Sequence, residues 1–500
     1  MNKFLDTKRL LQYGKQALNS ICKYYDSIET MKVFPEIKPG HLRQVIPSEP
    51  PHAGQDMEKI IKEIEDIIIP NATHWQHPNF YAYFPSLVSH TTILSEMVAV
   101  GLNSPGFTWA ASPVATELEN IVVDWCVKML GLPEKFLLKN SGGGMIGPTI
   151  GDDIFFSIHA AKYRKMKEMG MNYTDPRLLK LVGYYSAMSH SQNPKGLIIK
   201  DVPYRREIPA YYNKDLHTFE IKVEEFERMV KQDIQDGLVP FWCGSVIGAT
   251  STGSSDPIEA LGKICKEHNI WLNVDAAWAG SAFVLPEISQ SYRKGLELAD
   301  SFEVNFGKWM MCGMNSALFY VSDKRIYNES MAGKGVENYI QPEFLQNKFT
   351  NEYDLTDYKD WQVGLGRRFS SLKIWALIKN FGVEGIKDNI LEKIQIAEQF
   401  EAFVKSSDQF ELVCQRELSL VCFRMIKNHK GEQLKPSEIN QINRKLLQEI
   451  NKSNEFHIVG AEVQGIYFLR CAICSHFTTS KHVSDFWSYV RKMSNQVFDK

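Results

Sequence analysis

The sequence predicts an α/β protein with a mostly parallel sheet, on three observations. Short β-prone apolar runs (Leu179 to Tyr184, Gly244 to Ala249, Ile270 to Val274, Phe302 to Asn305) alternate with helical stretches through the middle of the chain, the pattern of strand, crossover and parallel strand. At 500 residues and 44% hydrophobic content, the chain can bury a large core and has room for more than one domain. The run Ile270-Trp-Leu-Asn-Val-Asp275 ends on an acid followed by small residues, which puts Asp275 where open sheets carry their ligand sites, at the carboxyl end of a strand.

The elements divide by pattern into three parts. Residues 1–89 are helical apart from an extended, proline-containing stretch from Phe34 to Pro51. Residues 90–372 hold the alternating runs of the sheet. A helix-like run from Ser371 to Phe381 leads into residues 373–500, where strand-like runs (Leu418 to Met425, Gly465 to Cys471) precede a final helix. Before the first sheet run, Asn140-Ser-Gly-Gly-Gly-Met-Ile-Gly147 reads as a glycine-rich turn feeding a helix from about Asp152 to Met169, a ready phosphate cradle. Its letters also satisfy G-x-G-x-x-G. The preceding Phe136-Leu-Leu-Lys is too short for a confident strand, and no compact unit with a ribose-binding acid follows, so a dinucleotide site is disfavoured.

Composition narrows the classes. A formal net charge of −2 argues against a nucleic-acid or anionic-membrane binder. The amino terminus lacks a signal-peptide apolar core, and no uncharged run approaches the roughly 18 to 20 residues of a membrane span; a soluble cytoplasmic protein is expected. Nine cysteines are scattered, and Cys471-Ala-Ile-Cys474 has no second pair, so buried thiols are expected rather than zinc or redox work. His74-Trp-Gln-His77 lacks the rest of a ligand set, and no metal is expected.

The chemistry gathers on Lys308, in Ala299-Asp-Ser-Phe-Glu-Val-Asn-Phe-Gly-Lys-Trp-Met310. Alone it reads as a surface lysine beginning a turn. A partly desolvated site there lowers the amine's pKa and makes it nucleophilic at neutral pH. Asp275, alone a plausible helix cap, precedes it by 33 residues. A lysine that bonds the cofactor and a carboxylate for its pyridine nitrogen are the two protein groups that pyridoxal phosphate (PLP) chemistry requires.

Several longer motifs carry a family resemblance. His77-Pro-Asn-Phe-Tyr-Ala-Tyr-Phe-Pro85, Gly106-Phe-Thr-Trp-Ala-Ala-Ser-Pro113, Thr116-Glu-Leu-Glu119, Ser141-Gly-Gly-Gly144, Val274-Asp-Ala-Ala277, Lys308-Trp, Asp357-Tyr-Lys-Asp-Trp-Gln362 and Gly366-Arg-Arg-Phe369 resemble, in order, the group II PLP-dependent aromatic amino acid decarboxylases, including the tyrosine decarboxylases and aromatic aldehyde synthases. The resemblance runs from about Met31 to about Val490. It implies fold type I, the aspartate aminotransferase architecture: a helical amino-terminal extension, a large PLP domain and a small α+β carboxyl-terminal domain, in an obligate homodimer. It implies Lys308 as the covalent anchor, Asp275 on the pyridine nitrogen and His190 stacked on the ring, able to relay protons. Thr250, Asp256 and Ala277 would surround the ring, and Thr149, Ile150 and Asn305 would lie near phosphate and anchor. Trp75, Tyr83, Phe84, Pro85, Phe107 and Trp109 would line the entrance and side-chain pocket, suiting an aromatic substrate. Gly366 lies where plant relatives separate smaller phenolic from larger indolic substrates, and its missing side chain favours tryptophan-like or broad specificity.

The sequence departs from that pattern in three places. Gly147-Pro-Thr-Ile-Gly-Asp152 replaces the usual small-hydroxyl set, and Gly307 stands where the family often has histidine. Phe344, in Gln341-Pro-Glu-Phe-Leu-Gln-Asn-Lys348, fills the position of the decarboxylases' mobile-loop tyrosine, the acid that protonates the former α-carbon after CO2 leaves. The resemblance implies decarboxylation of an aromatic L-amino acid (tryptophan, tyrosine, dihydroxyphenylalanine or phenylalanine) to the arylalkylamine and CO2; without that acid the alternative is reaction with O2 to aldehyde, ammonia and hydrogen peroxide, as in the plant aldehyde synthases. Alternatively, Phe344 only packs, and Tyr339, His190 or water supplies the proton. An inactive scaffold on the same fold, or decarboxylation of an acidic amino acid by fold analogy, completes the alternatives.

Overall fold

The computed structural model describes residues 4–332, 343–345, 349 and 356–498. Its centre is a seven-stranded sheet, in which β-branched and aromatic residues buried on both faces enforce the extended runs. In chain order its strands are β1 (Gly143–Gly147), β2 (Leu181–Ser186) and β3 (Tyr204–Ile208), then, after the hairpin β4 (Ala210–Asn213) and β5 (Thr218–Ile221), β6 (Val239–Val246), β7 (Trp271–Asp275), β8 (Ser301–Asn305) and β9 (Ala317–Val321). The spatial order is β1-β9-β8-β7-β6-β2-β3. Neighbours from β3 through β2, β6 and β7 to β8 are parallel, and only β9 runs against its neighbours. The mostly parallel sheet expected from the alternating pattern is therefore present, and fold type I describes it.

A second sheet packs β10 (Phe410–Leu412), β11 (Leu420–Met425), β12 (Val459–Val463) and β13 (Ile466–Ala472) antiparallel in the order β10-β11-β13-β12. The helical run Ser370–Lys405 leads to it, broken at Gly382, whose φ of 65° only glycine adopts freely. The extended segment around His77–Pro85 ties the two sheets together. Tyr81 accepts from the Ala472 amide at 3.0 Å and donates its own to His457, while Leu87 exchanges amide bonds with Gly307 and Gly313 at 2.8 Å each. This threading carries Phe84 into the space above the large sheet. His74 and His77 serve the same packing: His74 Nδ1 meets the Tyr24 hydroxyl at 3.2 Å and His77 Nε2 the Met31 carbonyl at 3.1 Å.

The amino-terminal helix Thr7–Ser27 is capped by Asp6, which accepts the amides of Lys8 and Arg9. It leaves Leu10 and Leu11 exposed. Among the described residues no helix is long and apolar enough to cross a membrane.

Candidate functional site

Parallel strands that start together end together, so the chemistry carried just past their carboxyl ends converges. Here β7 ends on Asp275, β8 on Asn305 with Lys308 beyond it, β2 is followed by His190, β6 by Gly248 and Thr250, and β1 by Thr149 and Ile150. All of these line one cavity of about 450 Å3, with Ala277, Phe84, Trp278 and Lys195 completing its wall.

Lys308 sits on a tight turn. The Asn305 side-chain oxygen accepts the Gly307 amide at 2.8 Å, and the Lys308 amide returns to the Asn305 carbonyl at 3.1 Å. A Cβ on residue 307 would lie 2.2 Å from the Gly313 carbonyl oxygen. The turn thus excludes any side chain at 307, which accounts for glycine where the resembling enzymes often carry histidine. Burial lowers the Lys308 pKa, with the Asp275 charge opposing it, so the nucleophilic amine is more accessible than on a surface lysine. Its Nζ lies 5.6 Å from the Phe84 ring centroid.

Asp275 is buried, and burial raises its pKa while Lys308, the Ala277 amide (2.8 Å) and His190 pull it back down. His190 stands at the solvent edge, its Nδ1 accepting the Gln192 amide at 3.3 Å. Burial lowers its pKa as well, favouring neutral imidazole. Phe84 stacks on Trp278 at 4.1 Å and 13° between planes, and Trp278 on Trp309 at 5.4 Å. These rings form a flat, dry wall.

The phosphate end corrects one expectation. The glycines are not a turn: Gly143–Gly147 is strand β1 itself, paired with β9. They are required by close packing, since a Cβ at Gly144 would come 2.5 Å from the Tyr320 ring and one at Gly143 2.7 Å from Leu138. The feed into the helix is Pro148 and Thr149, and the helix spans Ile150–Glu168 with Thr149 as its cap. Its first amides have no partner within the helix and open on the cavity beside Lys195. Thr149 gives its hydroxyl to Asp152 at 2.7 Å. A buried amine, a facing carboxylate, a helix amino terminus with a lysine beside it and an aromatic wall together fit PLP.

Seven predicted residues do not line this cavity: Asp256, Trp75, Tyr83, Pro85, Phe107, Trp109 and Gly366. Asp256 faces away, because both carboxylate oxygens are taken, by the Ser186 hydroxyl at 2.9 Å and the Val246 amide at 2.8 Å. It braces β6 against β2. Trp75 and Tyr83 stack on each other at 5.5 Å and stay exposed; Tyr83 lines a neighbouring groove with His190, Thr250 and Arg470. Pro85 is buried in the threading segment. The Phe107 carbonyl accepts the Lys359 amide at 2.8 Å, and Trp109 gives its amide to Asp357 at 3.0 Å. Gly366 borders a separate groove with Ser104 and Arg367, and a Cβ there would meet nothing within 4 Å. Phe344 falls in a short turn, Glu343–Leu345, and Tyr339 lies outside the described residues. Sequence reasoning missed Lys195 and Trp278; Trp278, three residues past Asp275, was within reach of the strand-end argument.

Comparison with known proteins agrees with this geometry. Residues 39–426 match the family model described as the pyridoxal-dependent decarboxylase conserved domain. The chain is 36% identical over 497 residues to a phenylacetaldehyde synthase of Arabidopsis thaliana, covering 99% of this chain and 98% of that one. To tyrosine decarboxylase 4 of Petroselinum crispum it is 35% identical over 496 residues, covering 99% and 95%. Its fold superposes with a TM-score of 0.93 on Oryza sativa TDC solved with PLP and tryptamine, at 31% identity and 99% coverage of both chains.

Proposed function

Because the chain belongs to the pyridoxal-dependent decarboxylase family, we propose that it decarboxylates an aromatic L-amino acid (tryptophan, tyrosine, dihydroxyphenylalanine or phenylalanine) to the arylalkylamine and CO2. The observation that carries this reading is the meeting of Lys308, Asp275 and His190 in one cavity walled by Phe84 and Trp278. PLP, the family's cofactor, supplies when bound the electron-withdrawing ring that takes up the electron pair left as CO2 departs.

The chain's own groups do the rest. Lys308, its amine favoured by burial, is the covalent anchor. The Asp275 carboxylate would hold a proton at the cofactor's pyridine nitrogen, and the His190 imidazole, at the solvent edge of the same cavity, would hold the ring and relay protons. The Ile150 amide and Thr149 would hold the phosphate, Asn305 sets the anchor's turn, and Thr250 and Ala277, lining the same cavity, would hold the ring. The aromatic wall excludes water and accepts an aromatic side chain.

A second reading rests on Phe344, which has no proton to give. If it fills the acid's place, the product is the aldehyde: amino acid, O2 and water become aldehyde, CO2, ammonia and hydrogen peroxide. Both activities occur among the relatives. Incubating the PLP-loaded protein with each of the four amino acids while measuring CO2, amine, aldehyde and peroxide decides between them. Amine equal to CO2 supports the decarboxylase, and aldehyde and peroxide equal to CO2 support the synthase. No CO2 from any substrate defeats both. Phe344→Tyr is expected to raise the amine-to-aldehyde ratio; an unchanged ratio removes Phe344 as the switch.

The same reading makes the enzyme a cytoplasmic homodimer, with residues 1–89 as the extension that packs on the partner, 90–372 as the PLP-binding domain and 373–500 as the small carboxyl-terminal domain. The dimer is supported by exposed Leu10 and Leu11 facing Met97 and Val100 across an apolar groove of about 990 Å3. The compartment is supported by nine unpaired cysteines, eight of them buried.

A further inference from the structure

Three carboxyl groups gather behind the cavity wall, and only Asp275 accepts a hydrogen bond of ordinary geometry. Asp275 and Glu303 are register neighbours on the parallel strands β7 and β8, so their side chains leave the sheet on the same face. Asp153 comes to them from the first turn of the Ile150–Glu168 helix, which packs on β7, β8 and β9. Asp153 and Glu303 are both 0% exposed. Among the described residues none of their four carboxylate oxygens makes a hydrogen bond of ordinary geometry, and the one polar group that bears on Glu303 is the neutral Asn273 amide, too weak to offset burial. Room for Asp153 exists only because residue 147 is glycine: a Cβ there would sit 2.2 Å from Asp153 Oδ1.

The surroundings decide where charge can reside. Asp275 has the Ala277 amide, and Lys308 and His190 beside it pull its pKa down. Glu303 faces Asp275, Asp153 and Asn273, and Asp153 faces Asp152, Asp275, Glu303 and the Tyr327 phenol; no cation stands among these. An ionised carboxylate with neither water nor partner takes up a proton instead, more so beside another carboxylate. Burial accordingly raises both pKa values well above the ordinary range.

We propose that Asp153 and Glu303 are positioning residues: held as neutral carboxylic acids, they confine the cluster's single negative charge to Asp275 and steady it there with their O–H groups. They touch neither substrate nor cofactor and act through Asp275, on which the protonation of the cofactor's ring nitrogen depends. The proposal rests on the reading of the cavity as a PLP site.

The test has two arms. In the apoprotein at pH 7, infrared difference spectra between the native protein and Glu303→Gln, and between it and Asp153→Asn, are expected to show loss of a protonated-carboxyl band. Loss of a carboxylate band instead overturns the proposal. A native-protein spectrum followed from pH 6 to pH 9 reads the same band if a variant does not fold, and absence of any protonated band at pH 7 is equally fatal. In the PLP-loaded protein, Glu303→Met removes the O–H, so Asp275 should protonate more readily and the acid-side midpoint of the cofactor's visible absorbance should rise by about one pH unit, a tenfold change in the proton equilibrium. Glu303→Gln keeps a donor and should stay near the native midpoint. Equal midpoints in the native protein and Glu303→Met reduce the pair to packing and overturn the positioning role. Failure of the protein to take up PLP at all defeats the cofactor reading instead, and leaves the infrared arm as the judge of the pair.

Discussion

At residue 307 a single methyl group decides whether the lysine turn closes. Gly307→Ala sets a Cβ 2.2 Å from the Gly313 carbonyl oxygen, and backbone cannot step aside as a flexible side chain would. We expect a loss of about 1 to 3 kcal/mol of stability, the usual range for overpacking a buried site, together with weaker PLP retention because Lys308 is displaced. Denaturant unfolding and cofactor absorbance measure the two; native values for both would mean that the turn relaxes. Residues like Lys308 and Asp275 were legible in the sequence because each sits at the end of its own apolar run. Asp153 and Glu303 were not. In sequence, Asp153 is an ordinary first-turn acid and Glu303 a polar residue in a strand, and their isolation arises only where β1, β7, β8 and a helix meet.

Among the elements, β1 shows how a partner can impose structure on a weak sequence. Glycine disfavours strands, and a run of them reads locally as a turn. The Tyr320 ring of β9 leaves no space for a side chain at Gly144, Leu138 leaves none at Gly143 and Asp153 none at Gly147, and pairing with β9 then fixes the backbone. Several motifs that carried the resemblance prove to hold this region together. Glu119 accepts the Ile146 amide of β1 at 2.8 Å and pairs with Arg367, both side chains buried. Arg367 also stacks over Tyr358, whose hydroxyl reaches Asn120 at 2.7 Å. Removing one member of a buried pair strands the other's charge, at about 3 to 5 kcal/mol. Arg367→Ala should therefore unfold at markedly lower denaturant, and Glu119→Gln with Arg367→Met together should recover part of the loss. A single variant within about 0.5 kcal/mol of the native protein, the ordinary range of surface substitutions, would show that the pair contributes little.

The whole molecule raises the question of its exposed apolar band. The mostly parallel character of the sheet followed from alternation, which is local, whereas the strand order and the use of residues 1–89 depend on how distant parts of the chain meet. The Thr7–Ser27 helix leaves Leu10 and Leu11 exposed, and the helix His90–Leu102 leaves Met97, Val98 and Val100 exposed beside them. An exposed patch of this kind rimmed by polar residues marks an interface, and in a two-fold dimer each such patch meets its own copy or its neighbour's extension. The native protein should sediment at twice the 57.3 kDa chain mass. Leu11→Glu with Val100→Glu places four carboxylates in the dimer's contact, and burying unpaired charge there is costly enough to shift the equilibrium toward single chains. If the extension completes the site, the separated chains should lose activity while keeping native secondary structure, and activity should return as protein concentration rises. A native protein that sediments as one chain would remove the dimer. A double variant that stays paired would move the interface elsewhere on the surface, and one that separates with full activity would leave the extension with no part in the site.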